Sequence, residues 1–321
     1  MTPAAPVLPV LPGAATADPP AGARPDWTID QGWSRYTAEE HAVWRTLYER
    51  QTRLLPGRAC TAFLDGLQAL PIAPERIPDF DALNQLLLRH TGWQIVAVPG
   101  LVPDEVFFQH LAHRRFPAGN FIRRAEQLDY LEEPDVFHDV FGHAPMLMNP
   151  ALADYMQAYG EGGLRALRLG VLDKLARVYW HTVEFGLVRE AGELRIYGAG
   201  IVSSATETRF ALESPSPHRI RFDLQRVLRS RYRIDDFQQA YFVLDSLDDL
   251  LALARIDFAP HYDAVATLPA LAPGAALPSD ELLHRVVGRY HQGQRPSCRR
   301  VAHSPLPRQP CATRRLGCFD A

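Results

Sequence analysis

The densest group of side chains able to bind a metal lies at residues 132–145, in the sequence EEPDVFHDVFGHAP. Its two histidines, His138 and His143, are five residues apart. On an ideal α-helix this spacing is a rotation of about 140°, so the two rings would not share a face. Gly142 can end a helix, and Pro145 disfavours helix at the residue before it. Gly142 and Pro145 therefore suggest the hypothesis of a helix that ends near Gly142 and turns His143 back towards His138, which the spacing alone does not establish.

A third metal ligand is available farther along the chain. Residues 171–190 have the apolar periodicity of one long helix, and Glu184 lies on the edge of its apolar stripe. A carboxylate held among large apolar groups is costly unless it is neutralised, paired or bound to a metal. Two imidazoles and one carboxylate form the facial triad of non-haem Fe(II) sites, which leaves coordination positions open for O₂, water or substrate.

The same residue types are also compatible with roles other than iron binding. A pair of histidines often belongs to a helix end or to a packed core, and a single carboxylate at a stripe edge often forms a surface salt bridge. Zinc could use the same three ligands in a hydrolase, although the HExxH pattern with its general base is absent. Gly160 and Gly163 lie in a glycine cluster that lacks the Lys-Ser/Thr pair of a phosphate-binding loop.

Helical patterns dominate the elements that must position these residues. Thr37 and Glu40 form a capping box at the start of one helix. Helical patterns outnumber strand patterns, which predicts a mainly α fold (α+β with a few short strands). Further helices are predicted near 58–70, 80–90, 103–115, 135–143 and 150–159, and short strands at Gln94–Val98, Glu193–Tyr197 and Ile201–Ser203.

The composition is that of an ordinary globular protein, with 47% hydrophobic and 22% charged residues and a net charge of −3. No nucleic-acid partner and no membrane span are expected, and the sparse cysteines and missing secretory signal favour the cytoplasm. Residues 1–30 are rich in Pro and Ala, and residues 276–321 are rich in Pro and Arg. These segments are predicted to be a disordered leader and tail around one folded domain at 31–275.

Three stretches are similar to one known family. EEPDVFHDVFGHAPML (132–147), YWHTVEFGL (179–187) and IYGAGIVSS (196–204) closely resemble the pterin-dependent aromatic amino acid hydroxylases, and the similarity extends from about Tyr36 to Tyr262. It is greatest to the monomeric bacterial members that act on phenylalanine. The resemblance implies the catalytic-domain fold of this family. It also implies hydroxylation of L-phenylalanine to L-tyrosine with O₂, Fe(II) and tetrahydrobiopterin or a related tetrahydropterin.

The resemblance further implies roles for individual residues. The implied iron ligands are His138, His143 and Glu184. The residues implied to bind the pterin, with the Phe107 ring stacked on it, are Gly100, Leu101, Phe107 and Asp139. The residues implied to bind the amino acid, with the Arg123 guanidinium on its carboxylate, are Arg123, Pro134, Trp180, Phe185, Gly200 and Ser203.

The chain departs from the family pattern in places. Leu131 stands where animal members have a Thr near the substrate, and the run AGNFIRR (118–124) leaves the register between Arg123 and Arg124 open. The Pro-rich C-terminal segment cannot form the heptad helix of a tetramer, so a monomer is expected. A tryptophan or tyrosine hydroxylase of the same family is the alternative for the ring, and a zinc hydrolase is the alternative from another class.

Overall fold

The computed structural model describes residues 18–129 and 133–284, so the predictions on residues 1–17, Leu131 and 285–321 lie outside the described residues. Helices predominate in the described part, and the predicted mainly helical class is confirmed. No helix there is long and apolar enough to cross a membrane. The α-helices are α1 (Ala38–Leu54), α2 (Thr61–Ala69), α3 (Phe80–His90), α4 (Asp104–Ala112), α5 (Ala144–Leu147), α6 (Pro150–Leu169), α7 (Leu172–Tyr179), α8 (Ala199–Val202), α9 (Ala205–Glu213), α10 (Leu224–Arg229), α11 (Asp248–Arg255) and α12 (Ala259–Val265).

The strands of the described residues form two small sheets. They are β1 (Gln94–Val98), β2 (Arg115–Gly119), β3 (Leu187–Glu190), β4 (Glu193–Ile196), β5 (His218–Arg221), β6 (Ala240–Leu244) and β7 (Leu282–His284). In the first sheet, β1 and β2 are parallel and joined through α4, so the loop that leads from β1 into α4 lies at the carboxyl end of β1. The second sheet has the order β4-β3-β6-β5-β7, with a parallel centre and antiparallel edges.

Local chemistry accounts for several of these elements. The Thr37 hydroxyl accepts from the Glu40 N–H, and the Glu40 carboxylate accepts from the Thr37 N–H, which is the predicted capping box. The predicted helix at 80–90 and the predicted strand Gln94–Val98 are confirmed at the same residues. Helix α3 buries Phe80, Leu83 and Leu87 and packs against β1 of the first sheet.

The glycine cluster of α6 is a packing device and not a phosphate-binding loop. A Cβ atom at Gly160 would lie 2.3 Å from the Ala112 backbone nitrogen, and one at Gly163 would lie 2.0 Å from the Phe108 ring. Only glycine at these two positions allows α6 to lie this close to α4. The contact fixes α4, and with it Phe107, against the centre of the fold.

Two predicted elements differ from the structure. The helix predicted at 171–190 comprises α7 and one π-helical turn, Trp180–Glu184, after which the chain enters β3. A Cβ at Gly186 would lie 2.2 Å from the Tyr197 ring, so the chain turns at this glycine to pair with β4. The strand predicted at Ile201–Ser203 was wrong, because the β-branched Ile201 and Val202 lie in α8 and Ser203 follows it, so tertiary packing overrides the strand propensity.

Both ends of the folded domain extend beyond the expected boundaries of 31 and 275. Trp27 is 8% exposed, and the Asp26 carboxylate lies 3.2 Å from the Arg115 guanidinium. At the other end, β7 pairs with β5. The partners of these segments are distant in sequence, so local composition does not reveal the packing.

His110 makes this N-terminal contact sensitive to pH. Its Nε2–H donates to the Asp26 carbonyl at 2.8 Å, and burial, reinforced by the charge of Arg115, lowers the pKa of His110 to about 4. The unfolded chain protonates His110 at a higher pH than the folded chain does. The contribution of neutral His110 to the free energy of unfolding is therefore complete above about pH 6.5 and falls as pH drops towards 4. Between pH 7 and pH 5, the free energy of unfolding of wild type is expected to fall by about 2 kcal/mol more than that of His110→Gln. Urea unfolding of both proteins checks this, and equal losses would contradict it.

Candidate metal centre and its pockets

The two histidines are brought together by a π-helical turn, Phe137–His143, and not by a helix end. In a π-helix the backbone hydrogen bonds join residues five apart, so His138 and His143 lie about one turn from each other on one face. The helix then continues through Gly142 and Pro145 into α5. The predicted convergence is therefore present, but the predicted termination near Gly142 was wrong. The wider turn also relieves the clash between the Pro145 ring and the preceding carbonyls.

Glu184 ends a second π-helical turn, Trp180–Glu184. The Phe185 N–H donates to the Trp180 carbonyl at 2.9 Å, a bond between residues five apart. Helix α8 packs against both π-helical turns through small residues. A Cβ at Gly198 would lie 2.5 Å from the Glu184 carbonyl oxygen, and one at Gly142 would lie 3.1 Å from the Ala199 carbonyl oxygen.

The three side chains form a compact group of possible metal ligands. Nε2 of His138 lies 3.5 Å from one carboxylate oxygen of Glu184, and Nε2 of His143 lies 3.4 Å from the other. One donor atom from each residue lies within 4.8 Å of the others. Nitrogen and oxygen ligands about 2.1 Å from one ion are themselves about 3 Å apart, so the donor set fits a single divalent metal with small adjustments.

The protonation of His138 suits a metal ligand. The Ser203 hydroxyl donates its only hydrogen to the Ala199 carbonyl at 2.7 Å, and the same oxygen lies 3.0 Å from His138 Nδ1. Ser203 must therefore accept from an Nδ1–H, so Nε2 is the nitrogen that faces Glu184 and that can bind a metal once its proton is displaced. The His143 ring is held differently, by the Phe116 ring at a centroid distance of 4.6 Å.

Ser203→Ala is expected to weaken metal binding about 10- to 100-fold, because His138 then loses the acceptor that fixes its tautomer. Titration of the purified chain with Fe(II) under anaerobic conditions measures the affinity. Ser204→Ala is a matched control, since the Ser204 hydroxyl contacts Thr206 and the Glu207 N–H and no metal-binding side chain. Equal affinities of the two variants would contradict the role of Ser203.

The electrostatics of the group favour an ionised carboxylate. Burial alone would raise the pKa of Glu184, but the two histidines outweigh it and hold the pKa well below its usual value. Burial alone would lower the pKa of His138, whereas Glu184 raises it above its usual value. Glu184 is thus ionised, and a metal ion would take the place of the proton that the carboxylate stabilises on His138.

Arg123 lies beside this group in a buried ion pair. Its Nε and Nη2 donate to the two carboxylate oxygens of Asp135 at 2.8 Å, and Asp135 also accepts from the His138 N–H at 3.0 Å. Arg123 is 9% exposed and borders a small pocket that Ser203 also lines, whereas Arg124 is exposed. This difference favours Arg123 over Arg124 as the residue that faces a ligand.

Of the residues expected to bind the substrate ring, the structure brings only some into contact with one another. Trp180 and Phe185 lie with ring centroids 4.8 Å apart, and a Cβ at Gly200 would lie 2.8 Å from the Phe185 ring. Trp180 and Phe185 therefore form one aromatic wall next to Glu184, and the Gly200 backbone lies against it. Pro134 is half-buried and precedes Asp135 on the approach to the first π-helical turn.

The expected pterin-binding residues lie around the first sheet. Gly100 and Leu101 are in the loop that follows β1, with Leu101 39% exposed. Phe107 is only 6% exposed, and its ring packs edge-on against Tyr179 at 6.0 Å. Asp139 accepts from the Gly119 N–H at 2.8 Å, at the end of β2. Asp139 itself belongs to the first π-helical turn, and the Tyr179 that Phe107 contacts directly precedes the second.

Three further residues support the site but were missing from the predicted set. Asp135 orients Arg123 and the His138 backbone, and it belongs to the same cluster in sequence, so its carboxylate was a visible signal. Tyr232 and Gln238 contact Trp180 from more than 50 residues away. Their contacts with Trp180 depend on the fold, because the sequence does not show that these residues lie beside it.

A mainly helical domain with two histidines and one carboxylate around one centre defines a class, the proteins with a mononuclear non-haem metal site. The chain belongs to the biopterin-dependent aromatic amino acid hydroxylases, whose family model matches residues 32–261. It is 61% identical over 272 residues to phenylalanine-4-hydroxylase of Caulobacter vibrioides, and this alignment covers 85% of this chain and 92% of the relative. It is 62% identical over 261 residues to phenylalanine-4-hydroxylase of Ralstonia nicotianae, covering 81% and 83%.

The fold is also similar to a solved structure of this family. The iron- and phenylalanine-bound phenylalanine hydroxylase of Chromobacterium violaceum superposes with a TM-score of 0.77 at 53% identity. The match covers 80% of this chain and 94% of that one. The expected catalytic-domain fold is therefore present, and the family to which the sequence motifs pointed is the one to which the chain belongs.

Proposed function

We propose that the protein is a phenylalanine 4-monooxygenase that converts L-phenylalanine to L-tyrosine with O₂ and a tetrahydropterin at an Fe(II) site. The observation that carries the proposal is the convergence of His138, His143 and Glu184 beside the aromatic wall of Trp180 and Phe185. Bacterial relatives more than 60% identical are named phenylalanine-4-hydroxylase, which supports phenylalanine over the other aromatic amino acids.

Each group of residues has a defined task in this proposal. His138, His143 and Glu184 hold the iron, which together with the reduced pterin supplies the oxidising chemistry that no side chain can supply. Ser203 keeps the Nε2 lone pair of His138 directed at the ion. The remaining tasks are binding and orientation of the substrate and the pterin, and exclusion of water from the ring that reacts.

The substrate is proposed to lie between a charged end and an apolar end. Arg123, held in place by Asp135, pairs with the amino acid carboxylate, because a guanidinium fork fits a carboxylate well. Trp180 and Phe185 enclose the benzene ring, with Pro134 and Gly200 completing the wall. The pterin is proposed to bind over Gly100, Leu101 and Phe107, with Asp139 near it.

The test is a competition among the three aromatic rings. The purified full chain is incubated with Fe(II), a tetrahydropterin, O₂ and equal amounts of phenylalanine, tryptophan and tyrosine, and each hydroxylated product is quantified by chromatography. Dominant tyrosine formation is expected. Another dominant product would change the substrate, and no product from any ring would reject the proposal. Zinc in place of iron would point to hydrolysis.

We also propose that the chain works as a monomer in the cytoplasm. The proposal is supported by the Pro-rich C-terminal segment, which cannot form a heptad helix, and by the bacterial source of the two relatives named above. Sedimentation equilibrium checks the first part, because a mass near 36.0 kDa is expected and a multiple of it would contradict the proposal. Cell fractionation checks the second part.

A further inference from the structure

Trp180 is held on two sides by residues from one later segment of the chain. The Tyr232 ring stacks on the indole with a centroid distance of 4.2 Å and an angle of 10°. The indole Nε1–H donates to Oε1 of Gln238 at 2.9 Å. Stacking between flat rings permits sliding and rotation in the plane, whereas a hydrogen bond at one edge fixes the in-plane position. The Gln238 bond is therefore the contact that sets the orientation of the indole.

Gln238 is itself fixed before it meets Trp180. Its side chain is 3% exposed, and its amide nitrogen donates to the Arg233 carbonyl at 2.8 Å. Its backbone N–H donates to Glu207, which also accepts from the Tyr241 hydroxyl at 2.5 Å. The amide nitrogen is thus committed to a carbonyl, so only the amide oxygen can face the indole N–H.

A small cavity of about 10 Å³, room for one water molecule, is lined by Gln238, Tyr232 and His181 among others. The Trp180 indole also contacts the Phe185 ring, with centroids 4.8 Å apart, so a shift of the indole at Gln238 alters that contact. Methionine has a similar length to glutamine and lacks the acceptor, so it removes the bond with little change in volume.

We propose that Gln238 is a positioning residue for the aromatic ring of the substrate, acting through the indole of Trp180. The inference rests on the proposed function, because it assigns the ring to the pocket that Trp180 borders. A displaced indole would let the ring bind in several orientations. The pterin would then be oxidised in part without hydroxylation of the ring, and the affinity for phenylalanine would fall.

The test compares Gln238→Met with Gln239→Met in the iron-loaded full chain. Gln239 is the adjacent glutamine and lines the same cavity, but within the described residues the indole N–H of Trp180 donates to Gln238 and not to Gln239. Gln238→Met is expected to raise the KM for phenylalanine about fivefold to tenfold and to lower the tyrosine formed per pterin oxidised. Gln239→Met is expected to stay within about twofold of wild type in both quantities.

A double-mutant cycle with Trp180→Phe separates positioning from a general structural effect. Phenylalanine lacks the indole N–H, so Gln238→Met is expected to add less than about twofold to the KM in that background. If Gln238→Met does not fold, Trp180→Phe removes the same hydrogen bond from the other side and is itself expected to lower the tyrosine formed per pterin oxidised. The inference would be overturned if that ratio were unchanged in these variants, or if Gln238→Met raised the KM equally in both backgrounds, while wild type still forms tyrosine. A wild-type chain that forms no tyrosine would overturn the proposed function together with it.

Discussion

Glu184→Gln is expected to lower iron content and to reduce hydroxylation by at least about a hundredfold. Loss of a partner that only orients a ligand already costs about 10- to 100-fold, and Glu184 is a ligand in the proposed site. The amide keeps the shape of the side chain but removes the negative charge that faces His138 and His143 at 3.5 and 3.4 Å. Metal analysis of the purified variant and its tyrosine-forming rate are the two measurements.

The fold is expected to survive this change, because the carboxylate contacts only the two imidazoles among the ion pairs of the described residues. Glu190→Gln is a matched control. Glu190 lies on β3, six residues later, and accepts from the Thr61 N–H away from the centre. Normal iron content and full activity in Glu184→Gln would remove Glu184 from the proposed ligand set, whereas a loss in both variants would point to a general effect on folding.

The ligand types at this centre could be predicted from the sequence, but their geometry could not. Two histidines and a stripe-edge carboxylate are visible as residue types. Their convergence depends on two π-helical turns, and each turn is one inserted residue in an otherwise helical pattern. Apolar periodicity averages over such an insertion, so the sequence predicted a helix end at Gly142 and an unbroken helix at 171–190.

Contacts between distant segments account for the other differences. Asp26 lies in a Pro-rich stretch typical of a disordered leader, yet Arg115 of the first sheet and His110 of α4 are its partners. Ile201 has a strand-forming side chain, but α8 must be helical to place Ser203 beside His138. Local propensity describes α3 and β1 well because nothing distant competes with it there.

Arg123→Ala is expected to raise the KM for phenylalanine about a hundredfold and to leave the KM for the pterin within about twofold. Truncating one partner of a desolvated charge pair costs about 2–5 kcal/mol, and the proposed substrate carboxylate would lose its guanidinium. The same variant is expected to lose about 3–5 kcal/mol of stability, because it leaves the fully buried Asp135 carboxylate unpaired. Steady-state kinetics and urea unfolding measure the two effects.

Arg123→Ala combined with Asp135→Asn separates substrate binding from folding. The asparagine oxygen can still accept from the His138 N–H, while the buried negative charge is gone. The double variant is therefore expected to recover most of the lost stability and to keep the high KM for phenylalanine. If the double variant recovered both the stability and the wild-type KM for phenylalanine, Arg123 would act only by neutralising Asp135. In that case Arg50, which borders the same small pocket and pairs with Asp129 at 3.1 Å, is the next cation to test.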